Sequence, residues 1–99
     1  MNAPAAGKVI VNASGFFQFE AGGALDTVRC EITTATTINN DHSMCAGEWS
    51  NLTMRYVPFS TTRGFNVAAG LRTFYLICDE LGGTITLFRS FMTAIYSAQ

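Results

Sequence analysis

Most of the residues in this sequence that could do chemistry lie in one short stretch, where Asp41, His42, Cys45 and Glu48 fall within eight positions. His42 with Cys45 is half of a metal shell, since zinc takes three or four ligands, and Glu48 is the only other donor nearby. As a nucleophile and base, Cys45 and His42 would need a group to orient the imidazole and a site for an oxyanion. Asp41 can supply the first, and nothing supplies the second. The stretch therefore reads as a polar loop with a chance histidine. Asp79 and Glu80 are neighbours, and neighbouring strand residues point to opposite faces, so they make a poor acid and base pair and read as a solvated turn. Gly22-Gly23 lacks the Lys-Ser/Thr and the helix that complete a phosphate loop. Asn12 and Asn51 stand in glycosylation acceptor triplets, but no export signal accompanies them. Trp49 reads as a core or interface anchor, with sugar stacking as the second use of such a ring. No catalytic residue, metal site or cofactor is assigned, and the chain is expected not to be an enzyme.

The segments that must position these residues have a dominant period of two. Val28, Cys30 and Ile32 alternate with Thr27, Arg29, Glu31 and Thr33, which predicts a strand with one buried face. Leu52, Met54 and Tyr56 alternate with Thr53 and Arg55, and Pro58 then removes a ladder donor, which marks an edge or a strand end. "STTRG" reads as a loop, followed by a short strand at Phe65 to Ala68 closed by Gly70. Near the start, "KVIVN" and "GFFQFE" read as two short strands separated by "ASG". "LRTFYLICDE" and "TITLFRSFMTAIY" are apolar on both faces, as in strands buried on both sides, and Gly82-Gly83 between them predicts a central hairpin. No window longer than about ten residues keeps a helical repeat, and the Gly and Thr content argues against one. Seven or eight short strands with turns between them define an all-β, small antiparallel sandwich or barrel, with one domain over 8–99 and a flexible arm over 1–7.

Composition says how such a domain must live. Of 99 residues, 48% are hydrophobic and 13% charged, against about 25% charged in an ordinary globular chain. A domain this small buries only about 60–65% of its unfolded surface, so a monomer would expose much apolar area, and large exposed apolar patches mark interaction sites. The expected partner is a copy of the chain or a larger protein. Net charge is −1 and the six basic residues are scattered, which leaves no electrostatic footprint for nucleic acid. No apolar run approaches the roughly 20 residues that span a bilayer. The three cysteines are odd in number, so not all can pair. Cys30 and Cys78, in apolar alternating runs, read as buried free thiols, which fits an intracellular origin.

The run "VAAGLRTFYLICDELGGTITLFRSFMTAIYSAQ" resembles the end of trimeric jelly-roll domains of the TNF/C1q-like type, including those that tailed phages use as capsid decoration proteins and fibre tips. The likeness is one of strands and turns over Trp49 to Gln99. It implies a jelly-roll-like sandwich whose last strand lies in an inner sheet near a threefold axis, with Phe91, Met92, Ile95 and Tyr96, together with Phe74 and Leu76, divided between core and subunit interface. On that placement Ile95→Asp would cost several kcal/mol by desolvation. The function implied is structural: a homotrimeric cement protein on the major capsid protein lattice, made in the host cytoplasm and found on the virion surface. The alternative is a receptor- or carbohydrate-binding fibre tip, with Asn40, His42, Trp49, Phe59 and Arg63 as contact-loop residues. Met1 stands eight residues before the first strand, with no shaft between, which favours the free-standing form.

Overall fold

The computed structural model describes residues 1–19, 24–38, 44–50, 55–82 and 84–98, with backbone alone for 24–26, 44–50 and 55. Within these, the chain forms β1 (Asn2–Ala3), β2 (Gly7–Phe19), β3 (Ala24–Thr33), β4 (Met44–Ser50), β5 (Arg55–Val67), β6 (Gly70–Leu71), β7 (Tyr75–Gly82) and β8 (Ile85–Ala98). One sheet has the order β5-β2-β8, a second has the order β4-β3-β7, and β1 pairs with β6 in a short ladder. All ladders are antiparallel. This is the all-β sandwich that the period of two predicts.

Alternation decides which side of each strand is covered. In β2, Val9, Val11, Ala13, Phe17 and Phe19 are buried, while Lys8, Ile10, Asn12, Ser14 and Phe16 face out. From the opposite layer β3 contributes Val28, Cys30 and Ile32. One core cluster joins Phe17, Phe19, Val28, Cys30, Phe59 and Ile85. A second joins Val9, Val11, Ala13 and Ile32, with Phe65, Val67, Phe74, Leu76 and Tyr96 packed against it. Phe17 stacks on Phe59 with ring centres 4.5 Å apart. Each large apolar side chain fully buried in this way contributes about 1.5–3 kcal/mol, so the two clusters are the main source of stability.

Several expectations are corrected by pairing, which is long-range. "KVIVN" and "GFFQF" belong to one strand: Ala13, Ser14 and Gly15 are paired on both sides, to β5 and to β8, and a segment held on both sides continues. "STTRG" is likewise strand, running opposite Ser14 to Ile10. Three of the strands are thus 13 or 14 residues long instead of short. Pro58 does lie on an edge strand, the place in a sheet where a missing donor is tolerated. Further along, β7 and β8 lie in different sheets, so the turn after Gly82 is a corner between layers and not a hairpin. At that corner Glu80 Oε1 accepts the Ile85 N–H at 3.0 Å.

Two further corrections concern the chain start and the thiols. Residues 1–7 are not a free arm. Ala3 is buried, Met1 and Arg72 exchange backbone hydrogen bonds of 2.7 and 3.1 Å, and the Tyr96 hydroxyl donates to the Ala5 carbonyl at 2.9 Å. Arg72 also donates to the carbonyls of Ala68 and Ala69, closing the turn in which Gly70 takes a φ of 118°. Cys30 and Cys78 are not free thiols: they stand opposite each other on β3 and β7, 4.0 Å apart at Cα, and form a disulfide.

Candidate interaction face

The outer face of the β5-β2-β8 sheet carries the residues left over by alternation. On β2 and its neighbours, Lys8, Asn12, Ser14, Ser60, Thr62 and Thr93 are the polar complement that a solvated sheet face should have. Thr62 Oγ1 donates to Asn12 Oδ1 across two of the strands. Set among them are large apolar side chains: Ile10 and Phe16 on β2, Tyr56 on β5, and Phe88, Phe91 and Ile95 on β8, all exposed. Scattered single apolar residues need no explanation, but adjoining ones form a patch.

Part of that patch is built by a bulge. Phe16 pairs with Arg89 and Phe17 with Leu87, so Phe88 is an extra residue on β8, and a bulge re-aims side chains and bends the strand. The Phe88 ring meets Tyr56 edge-on at 5.6 Å, and the Arg89 guanidinium lies 5.6 Å from the Phe88 ring centre. Phe16, Tyr56, Phe88 and Arg89 line a shallow apolar recess of about 270 Å³. It can bury apolar side chains of a partner, or stack a planar or sugar ring with Arg89 as the polar handle.

The residues nominated from sequence divide. Phe74, Leu76 and Tyr96 are partly buried against the core. Phe91, Met92 and Ile95 are exposed at 65%, 39% and 63%, because β8 is an edge strand and not a central one. The large folding penalty expected for Ile95→Asp loses its basis there. Phe59 is a core residue at 6% exposure and not a loop contact. Arg63 sits on β5, donates to the Ile32 carbonyl at 2.7 Å and covers the Phe65 ring. Asn40 and His42, with Asp41, Gly22-Gly23, Asn51, Leu52 and Met54, lie outside the described residues. Trp49 stands on β4 opposite Leu25 by backbone register. Tyr56 is in the opposite phase to that predicted: Val57 and Phe59 turn inward, and Tyr56 outward. Sequence reasoning passed over Phe16 and Phe88 as well. For Phe16 a signal exists, an aromatic in the polar phase of an alternating strand, whereas Phe88 is turned outward by a bulge that no local pattern announces.

The acidic pair is also relocated. Asp79 lies on β7 opposite Arg29, whose guanidinium donates to both carboxylate oxygens at 2.9 and 2.6 Å. Those hydrogen bonds lower the Asp79 pKa below its ordinary 3.8, against an opposing desolvation and with help from the Arg29 charge. A depressed carboxylate contributes stability that is present above its unfolded pKa and lost as pH falls through the folded value. In thermal melts the advantage of the native chain over Asp79→Asn should therefore hold steady from neutral pH to about 5, begin to shrink near the ordinary carboxylate pKa of about 4, and vanish only below the lowered folded value. An advantage that grows on acidification would contradict the pairing.

Among the described residues, fold and face together define a two-layer β-sandwich with an aromatic, partly apolar outer sheet face and a long strand edge at β8. Compared with protein-family models, curated proteins and solved structures, the chain matches none.

Proposed function

We propose that this chain is a structural assembly protein, which lays the outer face of its β5-β2-β8 sheet on a larger protein lattice and repeats there as a homo-oligomer. The observation that carries this reading is the exposed cluster of Phe16, Tyr56 and Phe88 beside Phe91 and Ile95 on one sheet face. Aromatic residues in a shallow recess, flanked by a single arginine, are the composition of interface hot spots. Repetition of a weak contact by an oligomer raises its strength through avidity. The specific form proposed is decoration of a tailed-phage capsid, which rests on the strand-and-turn resemblance. A disulfide accords with a protein that works on a virion surface outside the cell.

The test is co-sedimentation of the purified chain with undecorated phage capsids. Saturable binding is expected, and the double variant Tyr56→Lys/Phe88→Lys, altered only at exposed positions, should lose it while melting normally. A carbohydrate-binding tip is the second reading, favoured by the same ring pair, which could stack a sugar. Glycan-array binding that is abolished by that double variant, with no capsid binding, would replace the first reading with the second.

A further inference from the structure

The β8 edge of the β5-β2-β8 sheet is unusual in what it lacks. Natural proteins blunt edge strands with lysines, prolines or short length, because an unpaired row of N–H and C=O groups recruits other strands. β8 is 14 residues long, contains no proline, lysine or acidic residue, and has Arg89 as its single charge. β2 lies on one side of it, and among the described residues no strand lies on the other. Its side chains are exposed on both faces of the sheet from Thr86 to Ile95. Phe91, Thr93 and Ile95 point outward with Ser14, Asn12 and Ile10, while Met92 and Ala94 point inward with Ala13 and Val11.

We infer that the edge is completed by β8 of a second copy, antiparallel, with the two-fold axis at Thr93 and residues 89–97 of each chain in the ladder. Two-fold pairing makes the strand its own complement, and the sequence fits this register. Phe91 falls opposite Ile95 of the partner subunit on the outer face, an aromatic and β-branched pair that occurs twice. Met92 falls opposite Ala94 of the partner subunit on the inner face, large against small, also twice. Thr93 meets Thr93 of the partner subunit on the axis, and pairs of these kinds are the favourable cross-strand combinations. Arg89 falls opposite Ser97 of the partner subunit, which keeps the two arginines at opposite ends. The bulge at Phe88 stays just outside the ladder. An axis at Met92 would set Arg89 against Ile95, and one at Ser90 would draw the bulge into the middle of the ladder.

The contact is narrow but bonded along its length. Nine residues at about 3.4 Å each make an edge roughly 30 Å long, and one sheet layer with its side chains is about 10 Å thick. That is on the order of 300 Å² per protomer and about 600 Å² in all, in the range of weak interfaces, to which the backbone hydrogen bonds of an added strand contribute. The product is a six-stranded sheet with two copies of the Phe16, Tyr56 and Phe88 cluster on one face. The pairing deepens the assembly reading by supplying its repeat, and calls for a two-fold dimer where the resemblance implied a trimer.

The test uses Thr93, which is exposed, so its variants leave the fold intact. In a Cys45→Ser chain, Thr93→Cys should form a disulfide-linked dimer under mild oxidation, while Asn66→Cys, exposed on the far edge strand, should not. Thr93→Lys and Thr93→Glu should each be monomeric by light scattering at concentrations where the native chain is dimeric, since like charges directly opposite repel. Mixed together, the two should form a heterodimer. A native chain that stays monomeric, an oligomer indifferent to Thr93→Lys, or cross-linking no greater at 93 than at 66 would each overturn the pairing. A monomer that still coats capsids would overturn the pairing and leave the lattice reading intact. A dimer that binds no capsid would do the reverse.

Discussion

Gly15→Ala is expected to destabilise the protein by about 3 kcal/mol, at the upper end of what one added methyl costs in a packed core. Gly15 sits on the inner face of β2, the central strand of its sheet, opposite Phe59 and beside the bulge on β8. A Cβ there would strike the Arg89 carbonyl, with its oxygen and carbon both inside contact distance, and would lie 3.0 Å from the Phe59 ring. The ring can tilt only by giving up its stack on Phe17, and the carbonyl is held in the β2–β8 ladder. Relief therefore requires the two strands to separate where the core is densest. For a domain near 100 residues the loss corresponds to roughly 12–24 °C in Tm. Gly64→Ala is the matched control, because the nearest atom to its Cβ is the Val9 carbonyl oxygen at 4.0 Å. It should change stability by no more than about 0.5 kcal/mol, as exposed substitutions do. Equal melting of the two variants would show that the close approach of β8 to Gly15 is wrong.

That glycine also shows where reading the sequence stops. Alternation made Val28, Cys30 and Ile32 inward residues before any coordinates, and they are buried at 3%, 0% and 1%. Period two is a property of each strand alone, so it survives translation into structure. Pairing is a property of two distant segments. "ASG" looks like a turn because its residues are small and turn-forming, yet on β2 small residues are what two flanking strands and the Phe59 ring require. The same limit explains the misplaced last strand. A strand apolar on both faces reads as buried on both sides, and the rule does not say whether the covering atoms belong to the same chain. In "TITLFRSFMTAIY" the inward residue Ile85 is covered by this chain, while Phe91 and Ile95 are left open at 65% and 63%. The candidate face was legible only as an excess of apolar residues over charged ones. Its location depends on the bulge at Phe88 and on the inward phase of Val57 and Phe59, and neither has a local signature.

Removing the Cys30–Cys78 bridge is expected to cost about as much stability as the glycine clash, by a different route. The two cysteines are 48 residues apart in sequence, and closing a loop of that size restricts the unfolded chain by about 4 kcal/mol in the chain-entropy account. Against a total of about 5–15 kcal/mol for a domain, that is a large share. In the folded state Cys30 is fully buried in the core cluster with Phe17, Phe19 and Phe59, and Cys78 packs against it partly buried, so reductant should act much faster once the protein opens. Three outcomes follow. The unfolded, unreduced protein should titrate for a single thiol, that of Cys45. Its intact mass should be lighter by the thiol hydrogens lost on oxidation. The double variant Cys30→Ala/Cys78→Ala should melt well below the native protein and be insensitive to reductant, whereas the native protein should lose the same increment when reductant is added before heating. Three titratable thiols in protein prepared without reductant, with a melting temperature that reductant leaves unchanged, would return Cys30 and Cys78 to the free thiols that the alternating pattern alone predicts. Such a result would also remove the support that the disulfide lends to work in an oxidising environment.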